Sequence, residues 1–277
     1  CPEAKSSEVY IFLDGPQSDT QIAECALTAE VARLKWGFKQ TEIVIQPRNL
    51  GLSTSILKGI DHVLSNRDTV IVVEDDVVVS RSFLTYVNTA LWEFSRDERI
   101  ASIHGYVYPL AEPIDEPFFL RGADCWGWAT WRRAWTTFER DPKKLVQALN
   151  DEGLLREFDY EGSAGFAKML RRTESKEIDS WAIRWHASCY VQNLLTLYPG
   201  RSLVENIGLD GSGVHCPEGV SSPVSDDFEW SRPHLLEESR SAREQFKRYF
   251  EAQTRGSALR RSLGWLSRQY RRAKAFK

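Results

Sequence analysis

The sequence predicts an α/β fold built on a mostly parallel, doubly wound sheet, and three features carry that reading. Apolar, β-branched runs around Val9–Leu13 and Val70–Val73 have the continuous hydrophobicity of strands buried on both faces. Helix-like segments separate them, and strands alternating with helices pack as parallel crossover units. Both runs stop at acids, Asp14 and Glu74-Asp75-Asp76, and ligands of open α/β sheets sit just beyond the carboxyl ends of the strands.

Each element follows in order. Glu8 to Pro16 reads as a buried strand closed by Asp14-Gly15-Pro16, and Thr20 to Trp36 as a helix. Glu42 to Gln46 is a short strand, Asn49-Leu50-Gly51 a turn, and Ser53 to Leu64 a helix with Ser53 as its N-cap. Val70 to Val73 is the strand before the acids. A helix runs from Ser80 to about Phe94, and Ile100 to His104 is a strand. A loop with Pro109, Pro113 and Pro117 follows. Residues 126–135 then hold Trp126, Trp128, Trp131 and Trp135, a density that suits either core or a stacking surface. Asp179 to Leu195 reads as a helix capped by Asp179 or Ser180, Leu203 to Asn206 as a short strand, and 208–213 as a glycine-rich loop. Residues 217–240 are polar and acidic, a linker or wrapping segment. The expected boundaries are therefore a catalytic-type domain over 1–216, and over 217–277 a linker with a basic, amphipathic helical tail.

With 277 residues and 42% hydrophobic content the chain can bury a full core. Residues 255–277 hold eight Arg or Lys and no acid, so removing them from the net charge of −3 leaves −11 on residues 1–254. An acidic body argues against nucleic acid as a partner, whereas the tail has the pattern of a helix seated on an anionic membrane surface. Five cysteines without close spacing point to a reducing cytoplasm, and no apolar stretch approaches a membrane span. The expected location is cytoplasmic, peripheral on the inner face of the cell membrane.

Three adjacent carboxylates at a strand end repel one another and raise each other's pKa unless a cation compensates them. Oxygen ligation of this kind suits Mg²⁺ or Mn²⁺, completed by substrate phosphates. The alternative is a solvated acidic turn.

Four blocks occur in order: Tyr10-Ile11-Phe12-Leu13-Asp14-Gly15, Val73-Glu74-Asp75-Asp76, Trp126-Gly127-Trp128, and Asp179-Ser180-Trp181 with the segment leading to His215. Together they resemble the GT-A glycosyltransferases, in particular family 2 enzymes and the inverting N-acetylglucosaminyltransferases. The resemblance begins at what is the second strand of that fold, so the usual first β-α unit has no counterpart here.

The resemblance implies a nucleotide-diphosphate sugar donor, UDP-linked by preference, and a saccharide or lipid-linked acceptor in bacterial surface polysaccharide synthesis. It gives Asp14 to the nucleotide base, although a turn-forming Asp before Gly-Pro reads the same way. It makes Asp76 a direct metal ligand, with Glu74 beside it, and gives Asp75 to ribose or a metal-bound water. It makes Asp179 the base that takes the acceptor proton, against the alternative of a helix cap. Trp126, Gly127 and Trp128 would meet the sugar, Arg132 the phosphates, and His215 the metal; tryptophans in a core, a surface arginine and a structural histidine are the plainer readings. The rivals are a nucleotidyltransferase, which attacks at phosphorus, and a non-catalytic carbohydrate-binding scaffold.

Overall fold

A computed structural model describes residues 1–210, 222–226 and 228–255. A 3-10 turn (Pro2–Ser6) leads into β1 (Glu8–Leu13), and α1 (Ile22–Ala32), β2 (Gln40–Ile45), α2 (Leu52–Asn66) and β3 (Thr69–Val72) follow in alternation. After β4 (Val77–Val79) come α3 (Phe83–Glu93), β5 (Ile100–His104), β6 (Phe118–Arg121), β7 (Trp128–Trp131) and the short α4 (Arg132–Trp135). The helices α5 (Pro142–Asp151), α6 (Leu155–Phe158) and α7 (Phe166–Glu174) occupy a stretch to which the sequence reading assigns no element. Then come α8 (Trp181–Val191), β8 (Leu195–Tyr198) and β9 (Val204–Asn206). A last helix, α9, covers 240–255.

The fold is α/β, with a mixed rather than mostly parallel main sheet. Its strand order is β3-β7-β5-β8-β6, and only β5 and β8 run parallel. The reason lies after β5, where a proline-containing loop over 105–117 stays at the carboxyl end of the sheet in place of a crossover helix that would return the chain to the other end, so the next strand runs back antiparallel. β1 and β2 pair in parallel as a separate ribbon, and β4 pairs antiparallel with β9.

Every residue of β1 and β3 is only partly buried, so neither is the fully enclosed strand that its composition suggests. α2 packs on both: a Cβ on Gly59 would touch the Phe12 ring, and Ile60 and Leu64 share an apolar cluster with Val70 and Val72. The central strands are enclosed instead, with all of β5, β7 and β8 buried. One face of the main sheet carries α3, whose Phe83, Tyr86, Val87 and Ala90 meet Ile103 and Leu197. The other carries α8 and the tryptophans Trp128, Trp135, Trp181 and Trp185.

The described residues after 221 wrap this body. Phe228 and Trp230 lie against Tyr86 at 5.1 and 6.1 Å between ring centroids, and α9 buries Phe246 and Phe250 beside Phe118, Tyr160 and Tyr198. Tail residues 256–277 lie outside the described residues. Among those described, no helix is long and apolar enough to cross a membrane, and Cys1, Cys25, Cys125 and Cys189 form no disulfide.

Candidate functional site

Strand register gathers most of the expected site residues on one edge of the sheet. Val72 pairs with Trp128 and Trp128 with His104, so the chain just beyond them, Val73-Glu74 and Gly105, comes level with Gly127. β8 runs parallel to β5 and ends there too, so α8, which leads back into β8, begins at this edge. Trp181 in its first turn stacks on Trp128 at 5.6 Å and 24°. This is where β3, β5 and β8 all finish, the position at which open α/β sheets bind ligands.

Glu74, Asp75 and Asp76 form a tight turn, closed by Val77 N–H donating to Glu74 O at 3.1 Å. Burial raises the pKa of Glu74 to about 7, and the charges of Asp76 and Asp75 add to the effect. Burial and the Asp75 charge also raise that of Asp76, against a lowering hydrogen bond from Asn206. The segment after β9 closes on the same turn: Ile207 N–H donates to Asp76 O at 2.8 Å, and Gly208 N–H to Asn206 Oδ1 at 2.8 Å. Asn206, the last residue of β9, is a part of the site that the sequence reading did not single out, and Gly208 enters it only as the first glycine of the loop over 208–213.

Asp14 ends β1 but turns toward the loop before α2. Oδ1 accepts from Gly15 N–H at 2.9 Å and Leu50 N–H at 2.8 Å, and Oδ2 accepts from Gly51 N–H at 3.0 Å. Three backbone donors thus make it the organiser of the turn at Asn49–Gly51. Gly51, at φ 79°, is the N-cap of α2; the expected cap, Ser53, instead accepts a bond from Arg184. The positive φ explains the glycine, since other residues are strained there.

Asp179 precedes α8 and is not its cap, because Ser180 holds that position and accepts from Ile183 N–H at 3.4 Å. Asp179 Oδ1 accepts from the Arg184 guanidinium at 2.9 Å, and its side chain stays 65% exposed. Arg184, five residues on in the same helix, is a second group the sequence reading missed.

The tryptophan block divides. Trp126 is half-buried, with Tyr106 edge-on at 4.8 Å, and its backbone N–H donates to His104 Nε2 at 3.1 Å. His104 is fully buried, and its Nδ1 donates to Tyr106 O at 2.9 Å. Both ring nitrogens are thus used, and burial lowers its pKa, so the neutral ring serves as a strut under Trp126. Gly127, at φ 61°, accepts at its carbonyl from Gly105 N–H at 2.7 Å, and a Cβ there would lie 2.7 Å from Val204. Trp128 corrects the expectation of a sugar-facing ring: it is fully enclosed among Trp135, Trp181 and Trp185. Trp128 is the first residue of β7 and points into the α8 layer, whereas Trp126 precedes the strand, beyond the positive-φ Gly127 that breaks the extended backbone between them.

Arg132 is a second correction, since it sits at the other end of β7. Its Nε donates to Leu64 O at 2.7 Å and its NH2 to Arg67 O at 2.9 Å, closing the carboxyl end of α2. Four strand residues separate it from the acidic turn, roughly 13 Å along the sheet. Arg133 does the same for α3, through Phe94 O and Ser95 O.

Among the described residues, no group of three or more His, Cys, Asp or Glu side chains is placed to hold a metal alone. His215 lies outside the described residues. The acidic turn nevertheless fits a hard divalent ion, which takes one or two carboxylates and completes its shell with phosphate and water oxygens. The crowding that pushes Glu74 toward neutrality is the electrostatic state that a cation relieves. No family model matches the chain, and no curated protein matches it.

Proposed function

We propose that this chain is a metal-dependent, inverting glycosyltransferase of the GT-A type. It would take a nucleotide-diphosphate sugar, with UDP-linked donors first in line, and pass the sugar to a saccharide or lipid-linked acceptor. The observation that carries the reading is the mutually repelling acid cluster at the end of β3, with Glu74 and Asp76 half-buried, on the same edge as Asp179 and the Asp14 loop.

In this reading Asp76 and one neighbour hold Mn²⁺ or Mg²⁺, which when bound neutralises charge on the departing diphosphate. Asp179 accepts the proton of the acceptor hydroxyl as the anomeric carbon is attacked from the opposite face. Asp14 keeps the Asn49–Gly51 turn in place, and an acceptor lone pair not taken by the turn would meet an imide N–H of the base. Trp126 offers a partly exposed aromatic face to sugar C–H groups. The basic tail would hold the enzyme on anionic lipid, where lipid-linked acceptors reside.

The test is a panel of nucleotide sugars incubated with the chain and Mn²⁺, read by nucleoside diphosphate release and sugar transfer. UDP release that needs Mn²⁺ and disappears in Asp179→Asn, with UDP binding retained, is the expected result. Pyrophosphate as the product would move the protein to nucleotidyl transfer. Absence of metal-dependent UDP binding by calorimetry would leave a carbohydrate-binding scaffold.

A further inference from the structure

We propose that Arg184 is the positioning residue for the Asp179 carboxylate, an inference that rests on the reading of Asp179 as the proton acceptor. The Arg184 side chain is 12% exposed, and its guanidinium is committed on every side. It donates from Nε to Ser180 O at 3.1 Å, from NH1 to Arg140 O at 3.1 Å, and from NH2 to Ser53 Oγ at 2.7 Å and Asp179 Oδ1 at 2.9 Å. The first three acceptors belong to the frame: the start of α8, the residue before the α5 cap, and the first turn of α2. A planar fork held by three fixed acceptors presents the second N–H of its NH2 group in one direction, which a flexible ammonium cannot do.

Asp179 lies outside the helix and is 65% exposed, so nothing in its own backbone fixes its rotamer. Arg184 supplies that constraint. It also joins the two halves of the edge, because Ser53 follows Gly51 by two residues and Gly51 N–H is held by Asp14. The acceptor-side carboxylate and the nucleotide-side turn are thereby set at a fixed separation by one side chain.

The experiment compares Arg184→Lys, Arg184→Met, Asp179→Asn and the Arg184→Met/Asp179→Asn double variant in the full chain. The donor is whichever nucleotide sugar supports Mn²⁺-dependent transfer. Loss of alignment is expected to lower kcat in Arg184→Met by about 100-fold, with added guanidinium chloride restoring part of it. Donor KM should stay within about twofold, since ground-state donor binding does not use this arginine. Any residual turnover of Asp179→Asn should be unchanged in the double variant. Additive losses, a wild-type kcat in Arg184→Lys, or no response to guanidinium would each overturn the role. Thermal denaturation of the same four proteins keeps the test independent of turnover: positions 179 and 184 should show coupled changes in Tm, and independent changes would also overturn it. An active Asp179→Asn variant would instead remove the reading on which the inference stands.

Discussion

Gly208 and Asp76 leave no space between them: a Cβ on Gly208 would lie 2.6 Å from Oδ2 of Asp76 and 3.2 Å from Oδ1 of Asn206. The absence of a side chain after β9 therefore determines where the carboxylate of the acidic turn can stand. Gly208→Ala should cost about 1–3 kcal/mol in urea unfolding, as overpacking does, and should weaken Mn²⁺-dependent UDP affinity. Adding Asp76→Ala should return much of the stability but not the affinity. Wild-type affinity in Gly208→Ala would separate the carboxylate's position from nucleotide binding.

Glu74 gives the acidic turn a pH signature. Its pKa is raised from 4.5 to about 7, so the protonated form contributes stability that is complete below 4.5 and is lost as pH rises through 7. For a shift of that size the loss is roughly 3 kcal/mol. Glu74→Gln cannot ionise and should gain stability over the native chain from pH 5 to pH 8. Chelator-treated protein melted across that range is the measurement, and parallel curves would contradict the burial argument. Mn²⁺ should raise the native Tm more at pH 8 than at pH 5.

His186 predicts the opposite slope. It is buried against Phe158, Phe166 and Tyr190, with Nδ1 on Ala123 O at 2.7 Å, and burial lowers its pKa to about 4. The neutral ring contributes stability present above 6.5 and lost as pH falls through 4. In a Glu74→Gln background, which removes the competing carboxyl, the urea midpoint should fall steadily between pH 6.5 and 4.5. Ring NMR should show His186 unprotonated at pH 5.5, and a protonated ring there would refute the assignment.

The two tryptophans flanking Gly127 should behave differently. Trp128→Ala removes a fully enclosed ring and should cost about 3–5 kcal/mol. Trp126→Ala removes a half-buried ring, should cost less, and should raise donor or acceptor KM. Equal stability losses, or a Trp126 variant with native kinetics, would count against a sugar contact at that position.

Arg132→Met should lower stability by about 1–3 kcal/mol, because the Leu64 and Arg67 carbonyls lose a charged donor. UDP affinity should be unchanged. A loss of affinity larger than the loss of stability would bring Arg132 back to the phosphates.

The strands β1 and β3, the helices α2 and α3 and the acids at the strand ends were legible because they are local. A continuous apolar run, a helical period and an abrupt change to carboxylates are written within a dozen residues. The Asp179 region was legible as a helix start for the same reason, although which residue caps it depended on a rotamer. Tertiary structure alone decided that the main sheet is mixed, since the chain reverses through a loop and pairing partners lie far apart in sequence. It decided that Trp128 is core and Arg132 a helix closure, because side-chain direction and position along β7 follow from register rather than from residue type. It also brought in Arg184, Asn206 and His104, none of which carries a sequence signal of its own, and it put Gly208, legible only as part of a glycine-rich loop, against Asp76. Composition and period determine which elements form; the packing of distant elements against one another determines which side chains share an edge.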